Sequence, residues 1–229
     1  MTNNEPKACI AVFVRAPESG KVKTRLAEHL GPEFVLGIYK CFAQDILSAA
    51  EKTGHEIKIF YHPPDSGDAV ADWLGKSFKL YPQRGEDLGM RMANAFSDIF
   101  SSGYEKSILI GTDCPDIRET ILMDAFHCFQ DTGCVIGPSL DGGYYLIGFT
   151  AGGFNAALFE NISWGTETVY EKTLEICGQL GITPCVLPVL NDIDTVDDLK
   201  QFMKESGKKQ RSDLSSFNYV LLKNEGSNL

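Results

Sequence analysis

Cys9-Ile-Ala-Val-Phe-Val14, followed directly by Arg15-Ala-Pro-Glu-Ser-Gly-Lys-Val-Lys-Thr-Arg25, is the stretch that decides the fold. An unbroken apolar run of β-prone residues reads as a strand buried on both faces. Such strands belong to parallel sheets, whose ligands bind at the carboxyl ends of the strands. The loop that follows suits that position. It carries the cations Arg15, Lys21, Lys23 and Arg25 against a single acid, Glu18. Gly20 allows a close backbone approach. Arginine forks and lysine point charges match phosphate oxygens. The alternative reading is a solvated basic loop. A P-loop is excluded, because Arg15 and Val22 stand where it needs Gly and Ser or Thr, and no dinucleotide fingerprint is present.

The strand–helix rhythm continues outward. Val35, Ile38, Phe42, Ile46 and Ala49 recur at helical spacing after Pro32, and Ile57–Tyr61 is a second strand. A short helix near 67–75 and a short strand near 78–81 follow. Leu88, Met92, Ala95 and Ile99 mark a helix, Ser107–Ile110 a strand and 117–130 a helix. Residues 134–136 and 144–149 read as strands, 166–178 as a helix and 184–190 as a strand. Thr195 with Asp198 forms a capping-box pattern that opens a last helix. The alternation predicts an α/β fold: a mostly parallel mixed sheet between two helical layers, in one domain over residues 1–206. Residues 207–229 are expected to be a polar tail, with 206–216 mobile. Phe217–Leu222 would form an edge strand, dock on the body or meet a second subunit, as in a homodimer.

Composition limits the function classes. The 229-residue chain is 43% hydrophobic and 23% charged, an ordinary globular balance. With 21 basic against 31 acidic residues its net charge is −10, which disfavours nucleic acid and anionic membranes as partners. No apolar run approaches the ~20 residues of a membrane span. The run at Cys9–Val14 is too short for a signal segment, so a cytoplasmic protein is expected. The seven cysteines include no Cys-x-x-Cys pair, which argues against a zinc ribbon, a thioredoxin motif or a disulfide scaffold.

Further candidates lie in other loops. Gly111-Thr-Asp-Cys-Pro-Asp116 follows a strand, and Asp113 comes first after it; a carboxylate there suits a hard divalent cation. Asp116 reads equally well as a helix cap. Asn191-Asp-Ile-Asp-Thr-Val-Asp-Asp198 places Asp192 and Asp194 on one side of an extended segment, available to the same cation. Pro138-Ser-Leu-Asp-Gly-Gly-Tyr-Tyr145 joins Asp141, a candidate for contacting an acceptor hydroxyl, to a glycine pair and aromatic residues that could stack on a sugar. A plain hairpin turn is the alternative. Trp164 is a loop aromatic that lines a pocket or packs in the core. Gly85 and Gly89 sit at a helix start, where an anion is favoured.

Phe13-Val-Arg-Ala-Pro17, Gly20-Lys-Val-Lys-Thr-Arg-Leu26, Gly85-Glu-Asp-Leu-Gly-Met-Arg-Met92, Gly111-Thr-Asp-Cys-Pro115, Gly137-Pro-Ser-Leu-Asp-Gly-Gly-Tyr-Tyr-Leu-Ile-Gly148, Trp164-Gly-Thr166 and Asp192-Ile-Asp-Thr195 fall in order. Over residues 8–205 this set resembles the bacterial DUF2064 family of GT-A-fold proteins, the arsenosugar-biosynthesis-type glycosyltransferases. That family is similar to molybdenum-cofactor and phospholactate nucleotidyltransferases. The resemblance implies a Rossmann-like nucleotide-diphospho-sugar transferase fold and a cradle of Arg15, Ala16, Pro17, Gly20, Lys21, Lys23 and Arg25, with Gly85 and Gly89, for the nucleotide phosphates. It implies Mg²⁺ or Mn²⁺ on Asp113 and Asp194; Asp113 and Asp141, the latter read above from its own loop, are the expected catalytic pair. Gly142, Gly143, Tyr144 and Trp164 would lie on the acceptor side. The expected activity is glycosyl transfer from a nucleotide-diphosphate sugar to a small-molecule acceptor. The alternatives are nucleotidyl transfer from an NTP to a phosphorylated small molecule, and a non-catalytic nucleotide-sugar-binding protein.

Overall fold

The computed structural model describes residues 6–75 and 77–224. Residues 225–229 of the expected tail lie outside the described residues.

The first apolar run forms β1 (Ala8–Arg15), buried along its length until Arg15. Its side chains alternate between two cores, as the period of two requires. Ile10, Val12 and Val14 enter one, and Cys9, Ala11 and Phe13 the other. The remaining strands are β2 (Glu56–His62), β3 (Lys79–Pro82), β4 (Lys106–Ile110), β5 (Cys134–Pro138), β6 (Tyr144–Thr150) and β7 (Cys185–Val186). They form one sheet in the order β3-β2-β1-β4-β6-β5-β7. All pairings are parallel except those of β6, which runs antiparallel to β4 and β5. Helices cover both faces, giving the expected three layers.

The helices are α1 (Thr24–Leu30), α2 (Pro32–Lys52), α3 (Gly67–Leu74), α4 (Leu88–Ser101), α5 (Glu119–Cys128), α6 (Val169–Gln179), α7 (Val196–Lys208) and α8 (Ser215–Asn224). A 3₁₀ turn spans Ala156–Phe159. None of them is long and apolar enough to cross a membrane, among the described residues. α7 opens with the Thr195–Asp198 capping box that the sequence predicts.

Four local expectations are corrected. The basic stretch is not loop as far as Arg25, since α1 begins at Thr24. The strand expected over 184–190 is only Cys185–Val186, extended by a Ser139–Leu190 bridge. Residues 206–216 are not a mobile tail. α7 runs to Lys208, Arg211 is buried in an ion pair with Asp116, and Phe217–Leu222 lies in a helix instead of an edge strand. That helix docks because the buried Asp45 carboxylate accepts from the Ser215 and Ser216 amides at its start, at 2.7 and 3.0 Å. Finally, Cys128 and Cys185 form a disulfide across 57 residues. Pairing of β7 with β5 brings the end of α5 and the sheet edge together, which local spacing cannot reveal.

Candidate functional site

The carboxyl ends of β1, β2 and β4 open into a cleft of about 1170 Å³. Arg15, Lys21, Lys23 and Arg25 line it on the β1 side, and Asp113, Asp192 and Asp194 on the β4 side. The crevice lies where β1 is flanked by β2 on one side and β4 on the other, the switch point at which open sheets bind ligands.

Lys23 joins the two sides. Its backbone is left-handed, at φ 47°, immediately before α1. Its side chain is 4% exposed, and its ammonium lies 2.9 Å from Asp113 Oδ1 and 2.6 Å from Asp194 Oδ1. Burial acts to lower its pKa, but the two carboxylates outweigh burial and hold it above the ordinary lysine value. Asp113 and Asp194 meet because the Ile193 amide donates to the Asp113 carbonyl at 3.0 Å. Asp192, two residues before Asp194, has a buried Oδ1 with no hydrogen-bond partner. Burial, reinforced by the Asp113 charge, pushes its carboxyl up to about 7.

Asp113 and Asp194 are the residues of this set that could hold a divalent cation. Asp113 and Asp194 already share one cation, the Lys23 ammonium, and both stay about half exposed. Among the described residues no three His, Cys, Asp or Glu side chains are grouped to hold a metal by themselves. Mg²⁺ needs only one or two carboxylates, with water and substrate phosphates completing its shell.

The opposite wall holds Asp141, Gly143, Tyr144 and Trp164. Asp141 Oδ1 accepts from the Ser139 hydroxyl and, at 3.0 Å, from the Gly143 amide, so the turn fixes the carboxylate. Gly142, at φ +86°, presses against the Glu167 backbone, where any Cβ would collide. That contact seats the Asp141 turn against the Trp164–Glu167 loop. Tyr144 and Trp164 meet edge to face at 6.4 Å. Gly89 admits the Trp164 indole, because the space for its Cβ is taken by that ring and the Phe159 carbonyl.

Ala16, Pro17, Gly20, Gly85, Gly89 and Gly142 do not line the cleft; Gly89 and Gly142 pack against the Trp164–Glu167 loop behind its wall. Ala16 is buried and donates its amide to the His62 carbonyl at 2.8 Å. Asp116 neither caps α5 nor reaches the cleft, being paired with Arg211. The lining residues that the sequence reading did not single out include Tyr39, His62 and Arg91. Arg91 lies inside the Gly85–Met92 segment and His62 precedes Pro63-Pro64, but nothing local marks either as facing a ligand.

The model for the family DUF2064, an uncharacterized protein conserved in bacteria, matches residues 46–166. The chain is 35% identical to a Desulfovibrio desulfuricans G20 protein described provisionally as a nucleotide-diphospho-sugar transferase. Each chain is 96% covered, with a TM-score of 0.91. It shares the fold of the inositol-1-phosphate CTP transferase from T. maritima at 17% identity, with a TM-score of 0.54 and coverage of 92% and 98%. It shares it also with Rv0371c of Mycobacterium tuberculosis H37Rv, solved with manganese, at 14% identity, TM-score 0.55 and coverage of 85% and 97%. No curated protein matches the chain.

Proposed function

The chain belongs to the DUF2064 family, and from that premise we propose that it is a metal-assisted glycosyltransferase that uses a nucleotide-diphosphate sugar. One observation carries the reading. A single cleft runs from the cations after β1, past the acids after β4, to the Asp141–Tyr144–Trp164 wall. Its volume exceeds the ~300–1,000 Å³ of common small-ligand pockets, enough for a donor and an acceptor together.

In this reading Arg15, Lys21 and Arg25 hold the diphosphate oxygens through charged hydrogen bonds. Asp113 and Asp194 hold Mg²⁺ or Mn²⁺, which when bound neutralises charge on the leaving diphosphate. The manganese in the fold neighbour from M. tuberculosis supports a divalent ion at this fold. Asp141, fixed by its own turn, takes the proton from the acceptor hydroxyl. The Tyr144–Trp164 corner packs against the sugar ring and keeps bulk water from the reacting carbon.

A second reading is favoured by Lys23. A buried ammonium between two carboxylates lies where it would offset charge on the oxygens of a phosphoryl group under attack, as nucleotidyl transfer from an NTP requires. The protein from T. maritima is a CTP transferase on the same fold.

Turnover with a panel of nucleotide sugars and NTPs, with Mg²⁺ and Mn²⁺, tests both. Release of free NDP, with transfer to an acceptor or water, supports glycosyl transfer. Pyrophosphate release from an NTP supports the second reading. Tight nucleotide binding without either product would overturn the enzyme assignment in favour of a binding protein.

A further inference from the structure

The end of the cleft on β2 adds His62 and Arg91, which the diphosphate cradle does not use, to Arg15, which it does. Arg15 and His62 are register partners on β1 and β2, so their side chains leave the sheet on the same face. Arg91, in the first turn of α4, completes the group. Its Nε donates to the Gly85 carbonyl at 3.0 Å and its Nη2 to the Glu86 carbonyl at 3.3 Å, which holds the guanidinium at the cleft wall. Among the described residues no ion pair involves Arg15 or Arg91. Of the other cations of the cleft, Arg25 is likewise in no ion pair among the described residues, whereas both lysines are paired. Lys23 is shared by Asp113 and Asp194, and Lys21 pairs with Glu18.

His62 registers the imbalance. Its Nδ1 is buried without a hydrogen-bond partner. Burial, then the charges of Arg91 and Arg15, hold the imidazole below its ordinary pKa, and only Asp65 acts against them. Like charges gathered on a wall are costly until an anion shares them. Two guanidinium groups and an imidazole line this end of the cleft in a protein of net charge −10.

We propose that Arg15, His62 and Arg91 form an oxyanion subsite, which takes a phosphate-type group of a substrate at the β2 end of the cleft. The site rests on the nucleotide-transferase reading only for the identity of the molecule that carries the anion. Two sources share the chemistry: a phosphate of the nucleotide, or an acidic group on the second substrate. Arg15 contributes to the cradle as well, because it stands between the two ends.

The test is an NMR titration of the histidine rings of the full chain, with His62 assigned by its loss in His62→Gln. Inorganic phosphate is the first probe. The expected result is a saturable shift of the His62 resonances and a rise in its pKa. In Arg91→Gln the apparent phosphate affinity should fall about tenfold or more, as for the loss of a charged hydrogen bond. The same titration at saturating nucleoside diphosphate and Mg²⁺ separates the sources. Loss of the phosphate response means that the nucleotide fills the subsite; persistence means that the second substrate does. A His62 ring unmoved by phosphate in the parent protein overturns the proposal without any variant. So does a response that is unchanged in a folded Arg91→Gln. Failure of the nucleotide reading looks different: no nucleotide binds, while phosphate still moves His62.

Discussion

The Tyr39 hydroxyl accepts from the Arg15 amide and donates to the Arg15 carbonyl, at 2.8 Å in each case. A side chain of α2 thus fixes the last residue of β1, the one that turns the chain into the basic loop. The Thr112 hydroxyl, next to Asp113, reaches the same oxygen at 3.5 Å. One buried phenol ties the ends of β1 and β4 where the cleft opens, and burial pushes its pKa up to about 12.

Tyr39→Phe removes only that oxygen. Two backbone groups of Arg15 lose their partner, which should cost about 1–3 kcal/mol of stability. The cleft should keep its shape but hold Arg15 less firmly, so nucleotide affinity should fall as well. Urea unfolding and titration calorimetry on one variant check both. An unchanged unfolding midpoint would remove the clamp from the argument.

His62 predicts a pH dependence whose sign is fixed. Its folded pKa is lowered, by burial first and then by Arg91 and Arg15. As pH falls through the unfolded value of about 6.5, the unfolded chain takes up a proton that the folded chain resists. Stability from this group is therefore present above that pH and lost below it. In phosphate-free buffer, His62→Gln should flatten the decline of melting temperature on the acid side of pH 6.5. An identical slope in parent and variant would count against the arrangement of charges at the β2 end.

How much was legible follows from where the information sits. β1 could be read because a strand buried on both faces needs an unbroken apolar run, and Cys9–Val14 supplies one. Asp113 could be read because it closely follows β4, and Asp192 and Asp194 because they alternate along the extended segment before the α7 capping box. α1 was hidden because it is short and starts from a left-handed Lys23 inside a basic loop. The fate of Phe217–Leu222 was undecided because its cap, Asp45, is 170 residues away. Tyr39, His62 and Arg91 face the cleft through tertiary placement alone, as Asp116 turns away from it to Arg211.

The Cys128–Cys185 disulfide makes a countable prediction. Alkylation of the denatured, unreduced protein should label five cysteines, Cys9, Cys41, Cys114, Cys134 and Cys177. The bridge closes a long loop and fastens the two-residue β7 to α5, so Cys185→Ser should lose about 2–4 kcal/mol of stability. Labelling of Cys128 and Cys185 before reduction would show the bridge to be absent.

Asp194→Asn gives the sharpest test of the acids. Thr195 and Asp198 supply the cap of α7, so Asp194 is free of that task. Its carboxylate instead shares the Lys23 ammonium with Asp113. The variant keeps the shape and removes one negative charge from the β4 side. In EDTA that change lowers repulsion toward nucleotide phosphates and loosens Lys23, so nucleotide affinity should hold or rise. With Mg²⁺ the same change deletes a ligand, and the gain that the parent draws from metal should shrink by about 1.5–3 kcal/mol, the worth of a charged contact. The two conditions thus move in opposite directions if Asp194 is a metal ligand. A fall of equal size in both would mean that Asp194 serves only to hold Lys23. Calorimetric titration of one nucleoside diphosphate into parent and variant, with EDTA and with Mg²⁺, reads the difference directly.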